Sequence, residues 1–162
     1  MNWDAISAVS ETVSSIAVII SLIYLAQQIR HSNKLSQSQT RTDLRQQAGT
    51  EVESLIQHPD IWLMFWKEEL TDLERSRLHS FMLRALRFRE YIWRQHKLGL
   101  LDKDTFETYI LVVTQQLSSK RTRDWWNSYK LSGTFDPEFI KLVDRLVEET
   151  PPFDLRQHIE KF

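Results

Sequence analysis

Few residues in this chain are typed and spaced for chemistry, and the most regular set lies in its first thirty positions. Ser7, Ser14, Ser21 and Gln28 recur every seven residues, and Ser10, Ala17, Tyr24 and His31 repeat three positions later. On a helix the two series form one seam that drifts by only about 20° per heptad. Small residues let helices approach closely in lipid, and hydroxyls bond across such a contact at roughly 0.6–2 kcal/mol each. The alternative is that each serine bonds its own helix backbone. Glu11 borders the seam, and an ionisable group inside an apolar span is a site by default. Measured from a centre near Val18, Glu11 lies about 10 Å from the midplane, so only ~5 Å inside the hydrocarbon edge.

Elsewhere the signals are sparse. Glu90 and Arg94 are spaced i, i+4 on one helix face, where a buried pair acts as a structural lock more often than as an active site. The five histidines, at 31, 58, 79, 96 and 158, stand far apart, and neither Glu-x-x-His nor His-x-x-x-His occurs. Helix-borne metal ligands need such pairs to share a face. Gly49, Gly99 and Gly133 are isolated, so no bare-backbone phosphate cradle is expected. There is no cysteine and no G-x-S-x-G elbow, which removes the usual nucleophiles. No catalytic, cofactor-binding or metal residues are assigned, and no cofactor is expected; an enzyme would need a polar cluster that the sequence does not display.

The elements that carry these residues are helices. Three glycines and four prolines among 162 residues supply too few turns for a many-stranded fold. The expected class is all-α: one N-terminal transmembrane helix and a helical cytoplasmic domain. From Thr12 to Ile29 the chain runs 18 residues without a formal charge, enough to cross about 30 Å of hydrocarbon. Trp3 and Tyr24 suit the two interfaces. Asp4 precedes the span while Arg30, His31 and Lys34 follow it, which predicts the N-terminus outside and the C-terminus inside. A cleaved secretory signal would show the reverse charge order.

The expected organisation is an anchor helix over 1–30, a polar helical stalk over 31–50, a helical cytoplasmic domain over 51–150 and a tail over 151–162. Thr71-Asp72-Leu73-Glu74 is a capping box. It opens a helix whose apolar residues Leu78, Phe81, Met82, Ala85, Phe88 and Ile92 recur at threes and fours, and Gly99 ends it. A third helix is expected from Lys103 to Leu117, although its β-branched run from Ile110 to Thr114 also suits a strand. A short helix around Arg123 to Leu131 and a last one opened by Asp136-Pro137-Glu138 follow. The six tryptophans are read as core packing.

Charge is unevenly spread about a net −1. Residues 30–45 carry +3, the helix from Thr71 to Leu98 carries +4, and residues 136–162 carry −3. The basic helix is expected to face the chain's own acidic C-terminal segment more than an external anion, and no nucleic-acid partner is expected.

The strings SLIYLAQQIRHSNK, REYIWRQHKLGLLD and DWWNSYKLSGTFDPEFIKLVD together resemble a group of small bacterial membrane-anchored helical proteins with no established activity. That resemblance implies an architecture, an apolar anchor and a helical remainder, and supplies no site residue. The sequence thus points to a binding or scaffolding module in a bacterial inner membrane, single-pass, with its N-terminus periplasmic. Its expected partners are membrane lipid and either another copy of itself or a different membrane protein. The alternative is a homo-oligomeric channel or transport assembly whose polar path is lined by the serines, with Glu11 at its mouth.

Overall fold

A computed structural model describes residues 3–154 of the chain, and their side chains from Glu11 onward with Thr12 excepted. All elements among these residues are helical: α1 (Trp3–Gln57), α2 (Asp60–Met64), α3 (Asp72–Lys97), α4 (Lys103–Ile110), α5 (Val112–Gln116), α6 (Lys120–Tyr129) and α7 (Pro137–Glu149), with a 3-10 turn at Lys130–Ser132. The strand considered for Ile110 to Thr114 does not form. The chain divides into two compact units, residues 1–39 and 40–162.

The first unit is the N-terminal part of α1. From Val13 to Ile29 its side chains are all exposed, and the helix Val13–Gln57 that begins here is long and apolar enough, by length and composition, to cross a membrane.

The second unit has its own core. It is built around α3, whose capping box is complete: the Thr71 hydroxyl accepts from the Glu74 N–H at 3.3 Å, and the Glu74 carboxylate accepts from the Thr71 N–H at 2.8 Å. At its far end Gly99 takes φ 72°, and the Leu100 N–H reaches back to the Gln95 carbonyl at 3.0 Å, the six-residue closure of a left-handed helix terminator. Phe81, Met82, Ala85, Leu86 and Trp93 of α3 pack with Met64 and Phe65 at the end of α2, Val113 of α5, Trp126 of α6 and Phe139 and Val143 of α7.

A second cluster joins Leu44 of α1 to Phe88 and Ile92 of α3 and to Leu101. Here the boundary differs from expectation. The segment expected as an exposed stalk over 31–50 is helical, yet Thr40 is 6% exposed and Leu44 only 1%. The folded unit therefore begins near Thr40 rather than at 51. Leu35 and Leu44, the two large apolar residues between Ser32 and Gln47, give little periodic signal, yet Leu44 packs against Phe88, Ile92 and Leu101 and helps to dock the helix.

The helix expected from Lys103 to Leu117 is two helices. The chain turns at Leu111, where the Thr114 hydroxyl donates to the Leu111 carbonyl at 2.8 Å. A side-chain hydroxyl competing for a backbone carbonyl, next to β-branched neighbours, weakens the regular ladder. Asp102, Ser119 and Asp136 cap α4, α6 and α7, each accepting from a first-turn N–H. Residues 155–162 of the expected tail lie outside the described residues; of the remainder, the Phe153 N–H donates to the Ser118 carbonyl at 3.0 Å.

Candidate functional site

Two polar assemblies are candidates, one in each unit. On α1, Val13, Ile16, Val18, Ile19, Ile20, Leu22, Ile23, Leu25 and Ile29 are between 52 and 61% exposed. At ~100° per residue they occupy about two-thirds of the helix circumference. The remaining sector of roughly 120° holds Ser14, Ala17, Ser21, Tyr24 and Gln28, all exposed. Glu11 is exposed as well. The side chains of Ser7 and Ser10 lie outside the described ones. The Ser21 hydroxyl donates to the Ala17 carbonyl at 2.8 Å, and Ser15 likewise to Glu11. Ser21 thus satisfies itself locally, while its position in the seam leaves room for a close helix neighbour.

In the folded unit, α3 brings charge into the core. Arg89 is 2% exposed and donates to Glu51 of α1 at 2.5 Å; Gln116 of α5 donates to the other oxygen of Glu51 at 2.8 Å. Burial pulls the Arg89 guanidinium below its ordinary pKa, and the Glu51 carboxylate opposes that shift. Arg89 Nε and Gln116 Oε1 have no hydrogen-bond partner among the described residues. Leaving such atoms unpaired costs ~1–3 kcal/mol each, so this cluster fixes the docking of α1, α3 and α5 rather than adding net stability. The sequence did hold a signal for it: Arg89 falls in the same helical phase as Leu78, Met82, Ala85 and Ile92, where an apolar residue is the rule.

Glu90 and Arg94 form an ion pair at 3.6 Å, but the closer partners of Glu90 are Arg87 at 2.6 Å and the Asp136 N–H at 2.8 Å. Glu90 is 4% exposed. The carboxylate ties α3 to the N-cap of α7, a positioning contact. Arg123, which the sequence did not single out, donates to the carbonyls of Leu117, Val147 and Thr150 and so closes the C-terminal end of α7. Its pKa is lowered by burial.

A comparison with family models, curated proteins and solved structures found no match. The geometry alone must carry the functional reading. Among the described residues no group of three or more His, Asp or Glu side chains is placed to hold a metal ion.

The basic surplus of α3 is largely accounted for within the chain. Arg75 meets Asp72, Arg87 and Arg94 meet Glu90, Arg89 meets Glu51, and Lys97 meets Glu138. The acidic C-terminal segment supplies one of these partners, Glu138; the rest come from α1 and from α3 itself. Five of the six tryptophans, Trp62, Trp66, Trp93, Trp125 and Trp126, have aromatic ring neighbours in the folded unit, such as Trp126 beside Phe135 at 5.3 Å. Trp125 stacks on Tyr129 and donates to His79 Nδ1 at 3.0 Å.

Proposed function

We propose that this chain is a single-pass, membrane-anchored helical module that binds or scaffolds a partner. The anchor is residues 12–29, inserted in a bacterial inner membrane with the N-terminus periplasmic and the folded unit cytoplasmic. The observation that carries this is the apolar surface of α1, which wraps about two-thirds of the helix while residues 40–154 bury a core of their own. A helix lying in the headgroup plane carries a narrower apolar stripe opposite a charged face. Full burial of an aliphatic side chain gains about 1.5–3 kcal/mol, so covering nine half-exposed ones gains roughly 10 kcal/mol. That equals a whole domain's net stability of about 5–15 kcal/mol.

The seam of Ser14, Ala17, Ser21 and Gln28 supports self-association or contact with another membrane protein, since it is the one sector where two backbones can approach. A serine-lined transport path has less support, because the Ser21 hydroxyl donates to its own backbone. The test is extraction of membranes with alkaline carbonate. The proposed anchor keeps the full chain in the pellet, and release into the supernatant would refute it.

A further inference from the structure

Two further arginines of α3 have only distant partners. Arg77 makes one long contact, to Asp60 at 3.5 Å, and Arg84 makes one, to the Thr50 carbonyl at 3.4 Å. A guanidinium offers five N–H donors, so most of the donors on each side chain have no protein acceptor among the described residues. They lie seven residues apart, two helical turns or ~10 Å along one face of α3.

Between them opens a cleft of about 320 Å³, bounded by the end of α1, the start of α2 and the middle of α3. Its floor is apolar, formed by Ile61 and Phe81, each 7% exposed. Its walls carry hydroxyls from Ser54, Ser76 and Ser80 and the ring of His58. The volume falls at the lower end of small-ligand sites, ~300–1,000 Å³.

We infer that this cleft binds a small phosphate monoester, with Arg77 and Arg84 gripping the phosphoryl group and Ile61 and Phe81 receiving the organic part. Planar guanidinium forks match phosphate oxygens in pairs, and serine hydroxyls add donors around the same group. Two features oppose an anion. The Asp60 carboxylate lies 3.5 Å from Arg77, and the C-terminal turn of α1 contributes about half a negative charge. One of its carbonyls, that of Ser54, is already occupied by the His58 N–H at 3.0 Å. Two guanidinium charges exceed both together, so the cleft stays cationic. The long Arg77–Asp60 contact makes Asp60 a competitor that an incoming phosphate displaces. This site lies wholly within the folded unit and does not depend on membrane insertion.

The test is calorimetric titration of the full chain in neutral detergent with phenyl phosphate, inorganic phosphate and, as controls, phenol and acetate, at constant ionic strength. Phenyl phosphate should bind more tightly than inorganic phosphate because of the apolar floor, and phenol and acetate should bind at least tenfold more weakly. Arg77→Gln and Arg84→Gln should each weaken phenyl phosphate at least tenfold with little change in the ligand-free melting temperature, since both side chains face solvent. Arg77→Lys with Arg84→Lys keeps the charge and loses the fork, so it should also weaken binding. Asp60→Asn removes the competitor and should tighten binding severalfold, whereas a merely structural ion pair would show lower stability and unchanged affinity. No heat with either phosphate, equal binding of acetate, or affinity indifferent to both arginine exchanges would overturn the assignment.

Discussion

At the scale of single residues, Arg89 and Glu51 are the pair whose removal is most informative. Arg89→Ala leaves the Glu51 carboxylate, 13% exposed in its side chain, without its cation. The expected cost is about 3–5 kcal/mol in urea unfolding of the folded unit. Exchanging both, Glu51→Leu with Arg89→Met, should recover most of that loss, because no charge is then stranded. A double variant as unstable as the single one would mean that the pair contributes packing that apolar groups cannot replace. Glu74 gives a pH signature at the same scale. The Lys67 ammonium and the Thr71 N–H hold its carboxyl down from an ordinary 4.5 to about 2. A depressed carboxyl stabilises the fold above its unfolded pKa, and that contribution disappears as pH falls from 4.5 toward 2. The melting-temperature gap between the parent and Glu74→Gln should therefore be constant above pH 5 and close below it. A gap that widens on acidification would contradict this sign.

At the scale of elements, Gly99 is placed to end α3. Its φ is 72°, and an added Cβ would meet nothing within 4 Å, so substitution strains the backbone without a clash. Gly99→Ala should cost about 1 kcal/mol and Gly99→Asn less, since asparagine tolerates the left-handed region. Equal melting temperatures for all three would show that the turn rearranges freely. The extent of α1 in the core is tested by length. A fragment starting at Thr40 should melt cooperatively, whereas one starting at Glu51 loses Leu44 and exposes Phe88, Ile92 and Leu101. It should be less stable by roughly 2–4 kcal/mol, as for deletion of a buried leucine.

The elements were legible where capping chemistry is local. Thr71, Asp136-Pro137 and Gly99 announce their helix ends within four residues, and the structure places those ends there. What stayed hidden depends on distant partners. Leu44 looks solitary until α3 and Leu101 close over it. The break at Leu111 is accompanied by a bond from the Thr114 hydroxyl to the Leu111 carbonyl, which no local motif announces. Arg89 betrays itself only by phase, and neither Glu51 nor Gln116 signals that it will meet that guanidinium.

At the scale of the whole molecule, the proposed seam and the proposed anchor can be tested separately. Leucine at Ser14 and Ser21 adds bulk where backbones should approach, leaving the helix at least as apolar. Insertion should persist and association in mild detergent should weaken. Ile16→Leu with Ile23→Leu, on the aliphatic face, should leave association unchanged. If both double variants associate like the parent, the seam is not the interface.

The anchor itself is open to a direct measurement because the chain has no cysteine, so a single introduced thiol reports without background. Asn2→Cys and Ser132→Cys place that thiol before the span and in the folded unit, the latter at an exposed position. Intact bacterial cells, with the outer membrane made permeable, are treated with a maleimide that cannot cross the inner membrane. Labelling at position 2 in intact cells, with labelling at 132 only after lysis, is the predicted result. Labelling of 132 but not 2 would invert the topology, and labelling of both or of neither before lysis would contradict a single crossing of the membrane.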